Sequence, residues 1–153
     1  MAQSLILFGA IIPKRSQSVD FERHSMDYTI QLDEENKIVI AAAKGDWDSD
    51  TDNSLVLQIL DMVDVTGARG VLLDIRHLRF KVSIVQIFER AKELRTMRLR
   101  FNKTSSKAAI LYLADDPKLE EDMNFFETAA RNRNLPYQVF KDMEEAIDWL
   151  LGA

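Results

Sequence analysis

The chain has 153 residues, the length of about one domain, and it contains no cysteine, which excludes disulfides, thiolate nucleophiles and iron–sulfur clusters. Apolar residues make up 46% of it and charged residues 29%, the balance of an ordinary globular domain rather than a low-complexity chain. Two histidines are too few for an all-histidine metal site within one chain. The formal net charge of −5 argues against nucleic acid as the partner.

The N-terminal stretch carries the longest apolar run, the eight residues Leu5–Ile12. A membrane helix needs roughly 20 apolar residues, so we expect no stable membrane insertion. The run has no basic segment before it and no small-residue cleavage site after it, so it is not interpreted as a signal peptide. We predict an N-terminal arm at residues 1–25, one domain at residues 26–153, and, because cysteine is absent, a cytoplasmic location.

The apolar pattern divides the rest of the chain into alternating strands and helices. In chain order it predicts strands at 27–32 and 37–43, a helix at 51–65, a strand at 70–75, a helix from 84 to about 100, a strand at 107–113, a helix from 117, a strand at 136–140 and a helix after Asp142. Gly45 is expected to end the second strand, and residues 76–82 are expected to form a connector.

Helix starts are marked by residues whose side chains accept hydrogen bonds from free backbone N–H groups. The candidate N-caps are Asp48 or Asp50, Ser83, Asp116 before Pro117, and Asp142. The second helix shows Ile84, Phe88, Ala91 and Leu94 at helical spacing, which predicts that these four residues face the core. Strands alternating with helices after an initial hairpin predict an α/β fold: a mostly parallel five-stranded sheet with four helices, in the order ββαβαβαβα.

Three motifs on these elements resemble one family. They are Gly45-Asp46-Trp47-Asp48-x-x-Thr51 at the entry to the first helix, Val71-Leu72-Leu73-Asp74-Ile75-x-x-Leu78-x-Phe80 on the central strand, and Val139-Phe140-x-Asp142-x-Glu144-Glu145-Ala146-Ile147-x-Trp149-Leu150 at the end. They are similar to motifs of STAS domains, the fold of the SpoIIAA anti-sigma-factor antagonists, and the last is similar to the ending of the SpoIIAA-like branch. The resemblance covers residues 26–151 and implies a fold shared with the CRAL-TRIO lipid-binding domains.

The resemblance also implies a phosphorylated serine at the start of the second helix, where sigma-regulating members carry Asp-Ser-Ser-Gly. This chain has Val82-Ser83-Ile84-Val85, which keeps the first serine and loses the other three residues. Ser83 therefore has two interpretations, a helix N-cap only or a phosphosite.

No motif in the chain predicts catalysis or a cofactor. There is no glycine-rich phosphate loop and no Gly-x-Ser-x-Gly elbow, and His77 has no neighbouring histidine or carboxylate to orient it. Asp46, Asp48, Asp50 and Asp52 faintly resemble a calcium loop, but position six is Thr51 and position twelve is Leu57. These acids are interpreted as residues favoured at a helix N-terminus, and we expect a protein that is not an enzyme.

Charge is distributed unevenly along the chain. Residues 1–68 carry a net −7, residues 69–107 a net +8 and residues 108–153 a net −6. The basic segment is either a solvated helix face or a surface for an anionic partner, such as an acidic protein face or a phospholipid head group. Aromatic residues are not interleaved with its basic residues, so base stacking is not expected.

These observations predict a non-catalytic interaction or regulatory module that acts through residues 76–103. The predicted partner or ligand surface is Arg76, Arg79, Phe80, Lys81, Phe88, Arg95, Met97, Arg98 and Phe101, with Ser83 as the possible phosphosite. The partner is another protein or a second copy, with the basic helix of one copy facing Glu120, Glu121 and Asp122 of the other in a homodimer.

Two alternatives stay open at this point. One is binding of a lipid or other apolar ligand in a CRAL-TRIO-like pocket beneath the second helix, lined by Phe80, Phe88, Met97 and Phe101. The other is a phospho-switched protein like the anti-sigma-factor antagonists, which would use Ser83.

Overall fold

The computed structural model describes residues 25–101 and 106–152, so the predicted arm lies outside the described residues except for Ser25. The elements, in chain order, are β1 (Asp27–Asp33), β2 (Ile38–Asp46), α1 (Ser49–Thr66), β3 (Gly70–Arg79), α2 (Ile84–Arg100), β4 (Lys107–Leu111), α3 (Pro117–Arg131), β5 (Tyr137–Phe140) and α4 (Met143–Leu151). The predicted order ββαβαβαβα is confirmed.

The five strands form one sheet in the order β1-β2-β3-β4-β5. β1 and β2 are an antiparallel hairpin, and the other three pairings are parallel. Because each parallel strand is added on the same side of the previous one, right-handed crossovers must place α1, α2 and α3 on the same face. The mostly parallel sheet predicted from the sequence is therefore confirmed.

The sheet separates two apolar cores. The larger core joins the residues of one sheet face, such as Val39, Val71 and Ile110, to α1, α2 and α3. The smaller core joins Leu72 on the opposite face to Leu150 on α4, among other residues. Since neighbouring residues of a strand point to opposite faces, β3 and β4 are covered on both sides, which explains their continuous apolar sequence.

Two strands are longer than the sequence predicted. β2 continues through Gly45, which adopts a φ of +96°, and pairs with β3 as far as Asp46 and Arg79. The charged composition of residues 76–79 is typical of a loop, but Leu78 is buried in the core and the pairing with β2 continues beyond a register shift. The connector predicted at residues 76–82 is thus reduced to residues 80–82, followed by the cap residue Ser83.

Leu150 is the larger of the two buried side chains of α4; it is 4% exposed and lies against β3 at Gly70. Leu150→Ala removes buried methyl groups and leaves a cavity, so we expect it to lower the free energy of unfolding by about 2–5 kcal/mol. Leu57→Ala, at a solvent-exposed position of α1, is the matched control and should change it by about 0.5 kcal/mol or less. Urea denaturation of the two variants measures both values, and equal losses would contradict the packing of α4.

Candidate functional site

The connector and the start of α2 lie at the carboxyl end of the parallel strands, where α2 and α3 begin. An open depression of about 1340 Å³ runs along this edge, lined by residues of the β3 end, the connector and the first turn of α3. Open α/β sheets commonly bind ligands outside the carboxyl ends of their strands. This edge is therefore the first place to look for the predicted surface.

Ser83 caps α2 as predicted. Its hydroxyl oxygen accepts a hydrogen bond from the Gln86 backbone N–H at 3.2 Å, and the Gln86 side chain accepts one from the Ser83 N–H at 2.7 Å. This reciprocal capping box satisfies two N–H groups that the helix leaves free. Capping accounts for a serine at this position without phosphorylation.

The outer face of α2 presents apolar side chains to solvent beside the connector. Ile84 is 47% exposed, Val85 68% and Phe88 40%. The Phe88 ring is covered on one side by the guanidinium of Arg133, 4.2 Å from the ring centre. Lys81, at the connector end, is exposed. The patch is thus apolar with a basic border, a combination that marks interaction sites.

The prediction that Ile84 and Phe88 face the core is wrong, because both side chains are exposed. The buried stripe is Ile87, Arg90, Ala91, Leu94, Met97 and Arg98. Its spacing of three and four residues is helical, but two of its members are arginines, so a search for apolar residues selects a neighbouring stripe. The tertiary packing decided which of the two faces inward.

Met97 and Arg98 are therefore not part of an exposed surface, contrary to the sequence prediction. Met97 is buried, and Arg98 is only 2% exposed. The Arg98 Nε–H donates to the Tyr137 hydroxyl at 3.2 Å, and its guanidinium lies 4.8 Å from the centre of the Tyr137 ring. A further hydrogen bond runs from Arg98 to the carbonyl oxygen of Ser106. The physical reason is that both residues lie on the inner stripe of α2.

Arg76 and Arg79 lie on β3 and are engaged within the chain. Arg76 donates two hydrogen bonds to the carboxylate of Asp74, at 3.0 and 2.8 Å, and Arg79 donates one to Asp46 at 2.8 Å. Burial alone would raise the pKa of Asp74, but the hydrogen bonds from Arg76 outweigh it and lower the pKa. Both positive charges are thus partly balanced by local carboxylates.

The remaining predicted surface residues differ in exposure. Arg95 is exposed on α2, whereas Phe80 and Phe101 are half-buried and pack against the larger core. The Phe80 ring lies 6.3 Å from that of Trp47, which fixes the connector to the start of α1. Lys81, Phe88 and Arg95 are thus exposed to solvent, whereas Phe80 and Phe101 are partly covered by the core.

The acidic residues predicted to face a second copy are largely occupied. Asp122 is buried and accepts hydrogen bonds from Lys118 at 2.9 and 3.1 Å, and Glu120 accepts one from Lys141 at 2.9 Å. Glu121 is exposed. The partners of Asp122 and Glu120 are Lys118 on α3 and Lys141 before α4, so these ion pairs do not involve the basic helix α2.

A buried polar cluster joins α2 to α1, and sequence reasoning missed it. Nη2 of Arg90 lies 2.7 Å from Oδ2 of Asp52, and Nη1 donates to the side chain of Asn53 and, at 3.1 Å, to that of Glu93. Arg90 is 9% exposed. The signal available in the sequence was an arginine at the spacing of the buried stripe, three residues after Ile87.

Burial dominates the titration of Asp52. It raises the pKa of this carboxyl above its ordinary value of 3.8, although the Arg90 charge and a hydrogen bond from Trp47 act in the opposite direction. Three of the four acids that faintly resemble a calcium loop have other partners: Asp46 binds Arg79, Asp48 caps α1 and Asp52 binds Arg90. Within the described part of the chain, no group of three potential ligand residues is placed to hold a metal ion.

A cavity of about 140 Å³, partly open to solvent, lies between the sheet and the three helices α1, α2 and α3. Of the four residues predicted to line a pocket beneath α2, Phe80 does so, whereas Phe88, Met97 and Phe101 do not. Phe88 faces solvent, and the other two pack elsewhere on the core.

Among the described helices, none is both long and apolar enough to cross a membrane.

Comparison with known proteins shows the fold. No family model matches the chain, and no curated protein does. An anti-sigma factor antagonist from Mycobacterium paratuberculosis matches with a TM-score of 0.50 at 9% identity, over 82% of this chain and 94% of that one. The SpoIIAA-like fold predicted from the sequence is therefore confirmed.

Two further solved structures are similar. The anti-sigma factor antagonist SpoIIAA in its unphosphorylated form has a TM-score of 0.48 at 15% identity, over 83% of this chain and 98% of that one. An uncharacterised protein of the DUF3478 family from Shewanella loihica, with a SpoIIAA-like fold, has a TM-score of 0.47 at 20% identity, over 88% of this chain and 99% of that one.

The raised pKa of Asp52 predicts a pH effect on stability. A carboxyl whose pKa rises on folding stabilises the protein fully below its unfolded pKa, and this contribution is lost as the pH rises through the folded pKa. From about pH 4 upward, the free energy of unfolding of the wild type should therefore fall relative to that of Asp52→Asn. Urea denaturation at a series of pH values from 4 to 7 measures the difference.

Asp50→Asn, an exposed acid in the same helical turn, is the control, and its difference from the wild type should stay flat with pH. A wild-type stability that rises with pH relative to Asp52→Asn would contradict the assignment, because it would mean that attraction to Arg90 outweighs the effect of burial.

Proposed function

We propose that this protein is a non-catalytic interaction module that docks another protein on the outer face of α2. We define the docking surface as Lys81, Ile84, Val85, Phe88 and Arg95. The single observation that carries the proposal is the exposure of three large apolar side chains together at the N-terminal end of one helix. Such a cluster costs free energy in water unless a partner covers it.

The docking surface is held rigidly, which favours binding. The capping box fixes the first turn of α2, and contact between Phe80 and Trp47 fixes the connector before it. On the inner side, Arg90 ties the helix to α1. A surface that is already ordered loses less conformational entropy on association.

The chemistry of the surface describes its partner. Apolar side chains bordered by Lys81, Arg95 and the guanidinium over Phe88 complement an apolar patch with an acidic border. The similar protein from Mycobacterium paratuberculosis is an anti-sigma factor antagonist, a protein that acts on another protein. Likeness of fold supports this class of function by analogy.

A photo-crosslinking amino acid tests the proposal directly. Placed at Val85, it should form a covalent adduct with one specific protein in cells that express the chain naturally. Val65 on α1, which is 76% exposed, is the matched control and should give no such adduct. Mass spectrometry identifies the adduct, and sedimentation shows whether the partner is a second copy.

Once the crosslinked partner is purified, its affinity for Val85→Glu and for Phe88→Glu should be at least about tenfold lower than for the wild type. Each substitution places a new negative charge in the interface, opposite the acidic border of the partner. Val65→Glu should bind as the wild type does. Calorimetry measures the affinities. Adducts at both positions alike, or unchanged affinity in Val85→Glu, would overturn the proposal.

A further inference from the structure

The cavity between the sheet and α1, α2 and α3 has the properties of a small binding site. Its volume of about 140 Å³ is close to that of an engineered protein cavity of about 150 Å³ that binds benzene. Most of its wall is apolar, with contributions from all three helices and from the sheet, including Val56, Ile59, Leu73, Ile75, Ile87 and Leu94. The wall therefore suits a compact apolar molecule.

One charged side chain on this wall has unused hydrogen-bonding capacity. Arg90 lines the cavity and is more than nine-tenths buried, yet its Nε has no hydrogen-bond acceptor among the described residues. Nη2 lies 2.7 Å from a carboxylate oxygen of Asp52 and is paired with it, so Nε is the donor that is left. Buried donors without acceptors are costly, so an acceptor placed in the cavity would stabilise the protein.

The surroundings of Arg90 determine the charge of that acceptor. The guanidinium already has the carboxylates of Asp52 and Glu93 within 2.7 and 3.1 Å. A third negative charge in this buried place would be repelled by both, whereas a carbonyl or ether oxygen would accept a hydrogen bond from the Nε–H without changing the net charge.

We propose that the cavity binds a small neutral molecule with an apolar body about the size of a six-membered ring and one hydrogen-bond acceptor. The body packs against the apolar wall, and the acceptor takes a hydrogen bond from Nε of Arg90. The cavity is too small for the long chain of a lipid, so this inference narrows the apolar-ligand alternative to small molecules.

A route into the cavity leads from the carboxyl edge of the sheet. Six residues line both the cavity and the open depression: Leu78, Phe80, Val82, Gln86, Leu119 and Asp122. Two of them, Phe80 and Val82, belong to the connector. The depression and the cavity therefore adjoin at the connector.

Three probes of similar size separate the possible outcomes. Cyclohexanone supplies the apolar body with a neutral acceptor, methylcyclohexane lacks the acceptor, and cyclohexanecarboxylate carries a negative charge. We expect cyclohexanone to bind at least about tenfold more tightly than methylcyclohexane, the contribution of one hydrogen bond to a charged group. It should also shift the NMR resonances of the Arg90 Nε–H and of the methyl groups of Ile59 and Ile87.

Variants test the role of Arg90. Arg90→Met combined with Asp52→Asn removes the donors without leaving a buried carboxylate unpaired, and should bind the ketone and the hydrocarbon equally. Arg95→Met, at an exposed position of the same helix, should keep the wild-type preference for cyclohexanone. Thermal unfolding confirms that each variant is folded before titration.

Four outcomes would overturn the inference. The first is that cyclohexanone does not bind, as expected if water alone fills the cavity, and the second is that the wild type binds the ketone and the hydrocarbon with equal affinity. The third is that the carboxylate binds more tightly than the ketone. The fourth is that the NMR shifts are confined to residues outside the cavity. The docking surface lies on the exposed flank of α2 and not on the stripe that carries Arg90, and its tests use another partner and other variants. Failure of either idea therefore leaves the other standing.

Discussion

Two buried arginines on α2 determine how the helix layer is built. Arg90 binds the first turn of α1 through Asp52 and Asn53, and Arg98 binds Tyr137 on β5. A guanidinium makes several directional hydrogen bonds, so two of them on one helix fix its rotation as well as its position. The stripe that contains Arg90 and Arg98 is therefore buried. The apolar residues outside this stripe, Ile84, Val85 and Phe88, face solvent. The proposed docking surface is thus a consequence of the buried contacts.

These contacts carry a cost that the rest of the fold must offset. Taking an arginine and a carboxylate out of water costs several kcal/mol per ion before their attraction is counted. The raised pKa of Asp52 shows that burial outweighs that attraction at this site. The packing of three helices on one sheet face supplies the compensation, since it buries most of the apolar side chains of the larger core. The proposed ligand site is the cavity within that packing, where the Nε–H of Arg90 has no acceptor.

The site was less predictable than the fold. The sequence did predict Ser83 as the cap of α2, because a helix cap is set by neighbours in the sequence, and Lys81 and Arg95 are exposed, as charged side chains usually are. The burial of Arg98 and the identity of the inner face of α2 could not be predicted, because an arginine in the sequence normally indicates a solvent-exposed position. Its burial depends on a tyrosine 39 residues away, which no local pattern reveals. The burial of Asp52 could not be predicted either, because its partner Arg90 lies far along the chain on another helix.

The sequence by itself determined the order of the elements and the helix caps, because alternation of apolar residues and capping residues act over a few residues. The SpoIIAA-like fold was implied by the resemblance of three of its motifs to STAS domains. Only the tertiary structure decided where β2 and β3 end, which stripe of α2 is buried and which charges are paired. Those features depend on contacts between segments far apart in the chain. Strand pairing extended β3 to Arg79, and the neighbouring helices turned Arg90 and Arg98 inward.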